Sequence, residues 1–410
     1  MKPPIVATPD TVLMLTPDRQ IDRRILLQAD SLEADGWAVI IVAMPLDAPV
    51  PEDPRVVRVG SGAGEAKREN LVLNAYRWVR GHVPMNGVLM RWLKRLAWRY
   101  LVDQESFYAH LFDGTVSRFT PAVVVANDLP MLPVARKLAA KCGARLVYDS
   151  HELYCEQEFP NREKRRWAEI EARHISACDV VITVNQSIAT ELEQRYGIRG
   201  VHVVMNAERP AQQAPGTRAF HHALALPASS KVLLMQGGLS AGRNLEVLVQ
   251  AMALVRDPSV VLVILGDGLL LKRLQRRAEA QAPRRVFFHA AVPQSELLNW
   301  TVAADAGVIP YQATCLNNYF CTPNKLFEFI AAGIPVLASD LPEIRKLVVG
   351  ENIGLVGEMG TAEKVAVLID DFFGDLHRFG VWQHRLQLVR QRVSWVQEEA
   401  KLVEIYRALR

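Results

Sequence analysis

Pro323-Asn324-Lys325-Leu326-Phe327-Glu328-Phe329-Ile330-Ala331-Ala332-Gly333-Ile334-Pro335-Val336-Leu337-Ala338-Ser339 reads as a helix, a glycine stop and a buried strand. Proline is at home at a first helical position, where its missing N–H would be unpaired anyway. Gly333 ends the helix, and the apolar run from Pro335 to Ser339 suits a strand covered on both faces. The helix start offers free backbone N–H groups and a positive dipole end, which favour an anion. Lys325 adds a full charge there. Glu328 lies one turn on, on the same face, placed to accept hydrogen bonds from hydroxyls. The unit suits a ligand that carries both phosphate and sugar hydroxyls; a surface Lys–Glu pair on an ordinary helix is the plainer alternative.

Outward from this unit the chain alternates β-rich runs with helical stretches. Val12–Leu15, Val39–Val42, Val123–Ala126, Leu146–Tyr148 and Val180–Val184 read as strands, with helices at Arg24–Asp35, Leu132–Cys142 and Arg166–Ala177 between them. A breaker-rich stretch, Asn206 to Ser230, reads as the linker into a second domain. The alternation then restarts with strands at Val232–Met235, Val260–Leu265, Val286–Phe288, Ala306–Ile309 and Pro335–Ala338. Helices are expected at Leu245–Leu254, Leu269–Ala280, Glu296–Ala303 and Asn324–Ala331, and from about Thr361 onward. The class is α/β: two Rossmann-like domains, 1–205 and 206–390, facing across a cleft, with a closing helix at 391–410. Ligands of open α/β sheets sit beyond the carboxyl ends of the strands, so the loops after each strand matter most.

Composition bounds the function. The 410 residues leave room for two or three domains. Half are hydrophobic and 22% charged, with a net charge of +4, too small to argue for nucleic acid. The five cysteines are scattered, with no C-x-x-C pair, which points to a reducing, cytoplasmic compartment rather than a disulfide framework or a zinc knuckle. No apolar run is long enough to span a bilayer.

Two further post-strand loops carry chemistry. In Gln236-Gly237-Gly238-Leu239-Ser240-Ala241-Gly242-Arg243-Asn244 a strand runs into a glycine-rich turn. Glycine lets backbone approach a ligand closely, and Arg243 at the following helix start can clamp a diphosphate. In Tyr148-Asp149-Ser150-His151-Glu152-Leu153-Tyr154, His151 can hydrogen-bond a sugar or phosphate or move a proton, with Asp149 and Glu152 beside it. Leu265-Gly266-Asp267-Gly268 reads as a structural turn. Asp128 follows another strand and either lines the cleft or caps the next helix. Asp18 and Asp22, after the first strand, either face an acceptor or cap a helix. A dinucleotide fingerprint fails, because no glycine lies between Leu15 and Asp35, and no G-x-x-x-x-G-K-[ST] or metal-ligand cluster occurs.

These motifs, from Val147–Tyr154, Gly237–Leu254 and Pro323–Ser339 to the helix around Trp395–Tyr406, resemble the GT-B glycosyltransferases, specifically the retaining family 4. The resemblance covers nearly the whole chain. It implies that Glu328 binds the ribose, that Arg243 and Lys325 hold the diphosphate, and that His151 sits near the transferred sugar. Gly237, Gly238 and Asn324 would join them on the donor side. Asp18, Asp22, Asp128, Asp149 and Glu152 become acceptor-side candidates. A nucleotide sugar is the implied donor, a glycan or lipid-linked hydroxyl the acceptor, and no metal or other cofactor is expected. Two departures stand out. The arginine that often follows the first glycine is Gly238 here. The first of the family's paired glutamates, which usually helps hold the donor sugar, falls at Phe320, leaving that work to backbone N–H groups around Asn318–Thr322. A sugar-nucleotide 2-epimerase and a catalytically silent binding protein of the same fold are the alternatives.

Residues 70–102 contain no acidic side chain. Arg91, Arg95 and Arg99 share one helical face, with Lys94 and Trp98 among them. Within a helical insert expected at about 70–118, this reads as a basic amphipathic helix for an anionic membrane surface, the alternative being a solvated face on an ordinary packed helix.

Overall fold

The computed structural model describes residues 10–46, 52–60 and 103–410. Arg91, Lys94, Arg95, Trp98 and Arg99 lie outside the described residues, as does most of the expected insert; its described end is the helix Gln104–Val116.

Two parallel sheets build the molecule. The first has seven strands: β1 (Thr11–Thr16), β2 (Ala38–Ala43), β3 (Val56–Arg58), β4 (Val123–Asn127), β5 (Arg145–Ser150), β6 (Val180–Thr183) and β7 (His202–Val203), in the order β3-β2-β1-β4-β5-β6-β7. The second has six: β8 (Lys231–Gln236), β9 (Val260–Leu265), β10 (Val286–His289), β11 (Ala306–Ile309), β12 (Val336–Ser339) and β13 (Gly354–Gly357), ordered β10-β9-β8-β11-β12-β13. Helices cover both faces, so central strands such as β1 and β9 are buried at every residue and read as unbroken apolar runs. The chain reverses direction across each sheet between β1 and β4, and between β8 and β11. Those are the switch points at which such sheets open a crevice.

Each sheet has a core on either face. One face of the first sheet is covered by Ile25, Leu27 and Leu32 of the helix Arg23–Ala34, together with Trp395, Leu402, Ile405 and Tyr406 of the last helix, Trp395–Arg407. The closing helix therefore crosses back to the first domain. Trp395 is fully buried and its indole N–H donates to Ser31 Oγ at 3.0 Å, while Glu398 accepts from the backbone N–H of Met205 at 2.8 Å.

The structure corrects several local expectations. The tail is three helices, Ala362–Gly374, Leu376–Arg392 and Trp395–Arg407, because Asp375 caps the second and Val393–Ser394 breaks the third away. Residues 206–230, expected as linker and entry to the second domain, place Ala207, Ala211, Phe220 and Leu226 in that domain's core. Strands β3, β7 and β13 were not legible, since edge strands of two to four residues, only partly buried, have no periodicity to read. Pro323 stands at the N-cap of the helix Asn324–Ala332, one place before the expected first turn.

Candidate active site

The loops beyond both switch points face each other across a cleft of about 670 Å³, a size suited to a nucleotide sugar. From the first sheet come Asp18 and Asp22 after β1, Asp128 after β4, and His151 and Glu152 after β5. From the second come Gly237, Gly238 and Arg243 after β8, Tyr311 after β11, and Asn318, Thr322, Asn324, Lys325 and Glu328 around the next helix start. Asn324 Oδ1 accepts from Asn206, and Thr322 Oγ1 from Asn185 at 3.3 Å.

The donor side is built around two cations on one ring. The Arg243 guanidinium lies 4.4 Å and Lys325 Nζ 4.9 Å from the Tyr311 ring centre. Cation–π attraction partly offsets taking two like charges out of water. The offset is incomplete. Lys325 Nζ is buried with no hydrogen-bond partner among the described residues. Burial, reinforced by Arg243 and opposed by Glu328, pushes its pKa down to about 7. An ammonium so placed is a site waiting for an anion. Glu328 Oε2 accepts from Gln236 Nε2 at 2.5 Å, and Gln236 is fixed in turn by Thr301 Oγ1 at 3.0 Å. Burial raises the Glu328 carboxyl above its usual range, against the pull of Gln236 and Lys325. No side chain caps the helix Asn324–Ala332, which leaves its first turn open to the cleft.

The glycine-rich turn is held from behind by the loop after β9. Gly237 N–H donates to Leu265 O at 2.9 Å, Leu239 N–H to Asp267 O at 2.9 Å and Leu270 N–H to Leu239 O at 3.1 Å. Gly266 and Gly268 make this possible, since a Cβ on Gly266 would stand 2.1 Å from Gly237 O. The structural reading of Leu265–Gly268 is thereby tied to the site. Gly266→Ala is expected to cost about 1–3 kcal/mol by forcing this backbone apart at a φ of +150°. Urea unfolding measures it, and an unchanged midpoint would refute the packing.

On the opposite wall His151 sits between two carboxylates. Its Nδ1 is 3.4 Å from Asp128 Oδ2 and its Nε2 3.3 Å from Asp149 Oδ2. Burial opposes a charge on the ring, but Asp128 and Asp149 outweigh it and raise His151 to about 10. The ring thus holds its proton more tightly than a free imidazole, while burial raises its partner Asp128 to about 7. Asp128 is not the helix cap that sequence allowed: it makes no capping hydrogen bond and accepts instead from the backbone N–H of His151 at 3.1 Å. It adopts φ +63° and ψ 161°, a conformation costing a non-glycine residue about 1–3 kcal/mol. Asp149 is corrected as an acceptor-side candidate. It is fully buried and grasped by Arg24 through Nε at 3.0 Å and Nη2 at 2.9 Å, and by Gln28 Nε2 at 2.6 Å. Burial works against its charge, but Arg24 and His151 hold the carboxyl well below the usual range. Asp22 caps the helix Arg23–Ala34 through Arg24 N–H at 2.7 Å while still lining the cleft, and Asp18 accepts from Thr16 Oγ1 at 3.0 Å. Glu152 reaches across to Asn317.

Sequence reasoning missed Arg24, Gln28, Tyr311, Gln236 and Asn317. Tyr311 had a readable signal, because it follows a strand at a switch point. Arg24 and Gln28 had none, since their partner Asp149 is more than a hundred residues away.

Two facing parallel sheets, with paired cations on one wall and a histidine on the other, define the GT-B class of glycosyltransferase folds. Residues 21–208 match the family model of the glycosyl transferase 4-like domain, and residues 230–375 that of glycosyl transferases group 1. The chain belongs to this glycosyltransferase family. The D-inositol 3-phosphate glycosyltransferase of Xylanimonas cellulosilytica is 24% identical over 255 residues, a match covering 58% of each chain and so less than two thirds of that relative. Among solved structures, the sucrose-phosphate synthase of Thermosynechococcus elongatus superposes with a TM-score of 0.72 at 17% identity, covering 98% of this chain and 99% of that one. HepE of Anabaena, in complex with UDP and glucose, gives 0.70 at 16% identity, covering 97% and 99%. At such identities the likeness is one of fold. Among the described residues no helix is long and apolar enough to cross a membrane.

Proposed function

We propose that the protein transfers a sugar from a nucleoside-diphosphate sugar to a hydroxyl of a glycan or lipid-linked acceptor, in polysaccharide or glycolipid assembly. The observation that carries this reading is the buried Lys325 Nζ, which has no hydrogen-bond partner among the described residues. It lies beside Arg243 at an uncapped helix start, across the cleft from His151. Such a site supports a leaving group that gains negative charge. The diphosphate would lie beside the glycine-rich turn, where Arg243, Lys325 and the uncapped helix start at Asn324 meet the charge that develops as the glycosidic bond breaks. Glu328, held by Gln236, would accept from the ribose hydroxyls. His151 would donate to a hydroxyl or the departing oxygen near the sugar.

Retention fits this geometry. Asp149 is sealed behind His151 and Asp128 accepts from the His151 backbone, so neither of these two carboxylates is free to act as a nucleophile. The acceptor would attack on the face the diphosphate leaves, and a phosphate oxygen would take the proton. With the cations supplied by the protein, transfer is expected to proceed undiminished in EDTA.

The test is calorimetric. Glu328→Gln is expected to weaken binding of the cognate diphosphate, UDP or GDP, about tenfold, the worth of a charge-assisted hydrogen bond. Its thermal midpoint should hold. Undiminished binding would overturn the ribose assignment, and proton NMR of the product's anomeric centre tests retention.

A further inference from the structure

The resemblance to the family implies an acid at position 320, where this chain has Phe320, and Phe320 does not line the cleft. Phe320 packs its ring against the core of the first domain, and its carbonyl accepts from Asn185 Nδ2 at 2.8 Å. The helix Leu316–Tyr319, which leads into this position, has no acidic residue of its own. A carboxylate reaches that helix nonetheless, from the opposite domain. Asn317 Nδ2 donates to Glu152 Oε2 at 2.8 Å, and Asn317 Oδ1 accepts from the backbone N–H of Leu153 at 3.0 Å. Asn317 is buried, so this bridge is set inside the cleft wall.

Glu152 is the cleft carboxylate best placed for sugar hydroxyls. Asp22 is a helix cap, Asp128 serves the backbone of His151, Glu328 belongs with Gln236, and Asp18 accepts from Thr16 on the loop after β1, away from His151 in sequence. Glu158 is exposed and bound by Thr314 and Asn318. Glu152 follows His151 directly, and its two oxygens accept from Gln157 and Asn317. An ionised carboxylate has about four acceptor positions, so two remain for hydroxyl donors.

We propose that Glu152 is the donor-sugar carboxylate of this protein, delivered from the first domain to the place the second domain leaves without an acid. The inference rests on the nucleotide-sugar reading above. It carries a consequence for binding: the second domain alone holds the nucleoside diphosphate, and the sugar is gripped between domains. Glu152 therefore contributes to affinity only when a sugar is attached.

Calorimetry on the full chain with UDP, GDP, UDP-glucose, UDP-N-acetylglucosamine and GDP-mannose separates the cases. In Glu152→Ala the tightest-binding nucleotide sugar is expected to lose at least tenfold in affinity, as charge-assisted hydrogen bonds to hydroxyls require. The matching diphosphate should change by less than about twofold on the same grounds. Glu152→Gln preserves the side chain's volume and guards against misfolding; it should show the same selective loss, smaller in size. Equal losses for sugar-bearing and sugar-free ligands in both variants would mark Glu152 as a scaffold residue and overturn the proposal, as would no loss for either. A wild-type protein that binds neither UDP nor GDP would instead overturn the donor-site reading, and this proposal with it.

Discussion

Replacing Lys325 by methionine is expected to lower kcat/KM for sugar transfer by about 10²–10³, the usual cost of removing one preorganised partner of a developing oxyanion. The folded protein should not weaken with it. Lys325 Nζ has no hydrogen bond to lose among the described residues, and burial beside Arg243 disfavours its charge. A large activity loss without a stability loss is the mark of a group held for a ligand. If the variant instead unfolds more easily, Lys325 is part of the scaffold.

The same lysine gives binding a pH dependence whose sign follows from its surroundings. In the empty cleft it releases its proton near pH 7, whereas a bound diphosphate would favour the ammonium. Affinity for UDP or GDP should therefore be full below about pH 7 and fall above it, by up to about tenfold per unit. Lys325→Met should flatten this limb. Stability runs the other way. The folded state holds this proton less tightly than the unfolded chain, so stability rises with pH from about 7 toward the ordinary lysine value. An affinity profile unaltered by the substitution would remove Lys325 from the diphosphate site.

Arg24→Met should destabilise the protein by about 3–5 kcal/mol, because it strands a fully buried carboxylate. Arg24 makes two bonds to Asp149 and donates through Nη1 to Val204 O at 2.7 Å and Asn206 Oδ1 at 2.9 Å. One side chain thus ties the end of β5 to the start of the interdomain segment. The double variant Arg24→Met with Asp149→Leu removes both charges and should recover most of the loss, since paired burial is close to neutral against apolar replacement. Chemical denaturation of the two variants decides this. A mild effect of Arg24→Met alone would mean that the pair is hydrated. In Asp149→Asn, His151 loses one of the two carboxylates that raise it, and the alkaline limb of the activity profile should move to lower pH.

Much of this molecule was readable along the chain. β9 and β11 and the helix Leu132–Cys142 were bounded to the residue, because strands buried on both faces and helices ended by a left-handed glycine carry their signals locally. Lys325 and Glu328 were legible as cleft residues for the same reason: a proline, a cation and a carboxylate stand together at one helix start. Arg243 was legible from the glycines before it, and the helix that follows starts at Leu245 as expected but ends at Ala251 rather than Leu254.

What only the tertiary structure decided is who faces whom. Asp149 read as an acceptor contact beside His151, and the fold made it a buried counter-ion by placing the helix Arg23–Ala34 behind β5. Tyr311 became the ring beneath two cations because β11 adjoins β8, a neighbour far from it in sequence. Phe320 read as an acid missing from the site, and only the fold shows its ring packed on the first domain's core while Glu152 bonds Asn317 from the opposite wall. Local sequence determines secondary structure and the charge at each helix start, since those depend on backbone hydrogen bonds within a few residues. Burial, pairing and pKa depend on strand order and on the closure of one domain against the other, so they emerge only once both sheets are in place.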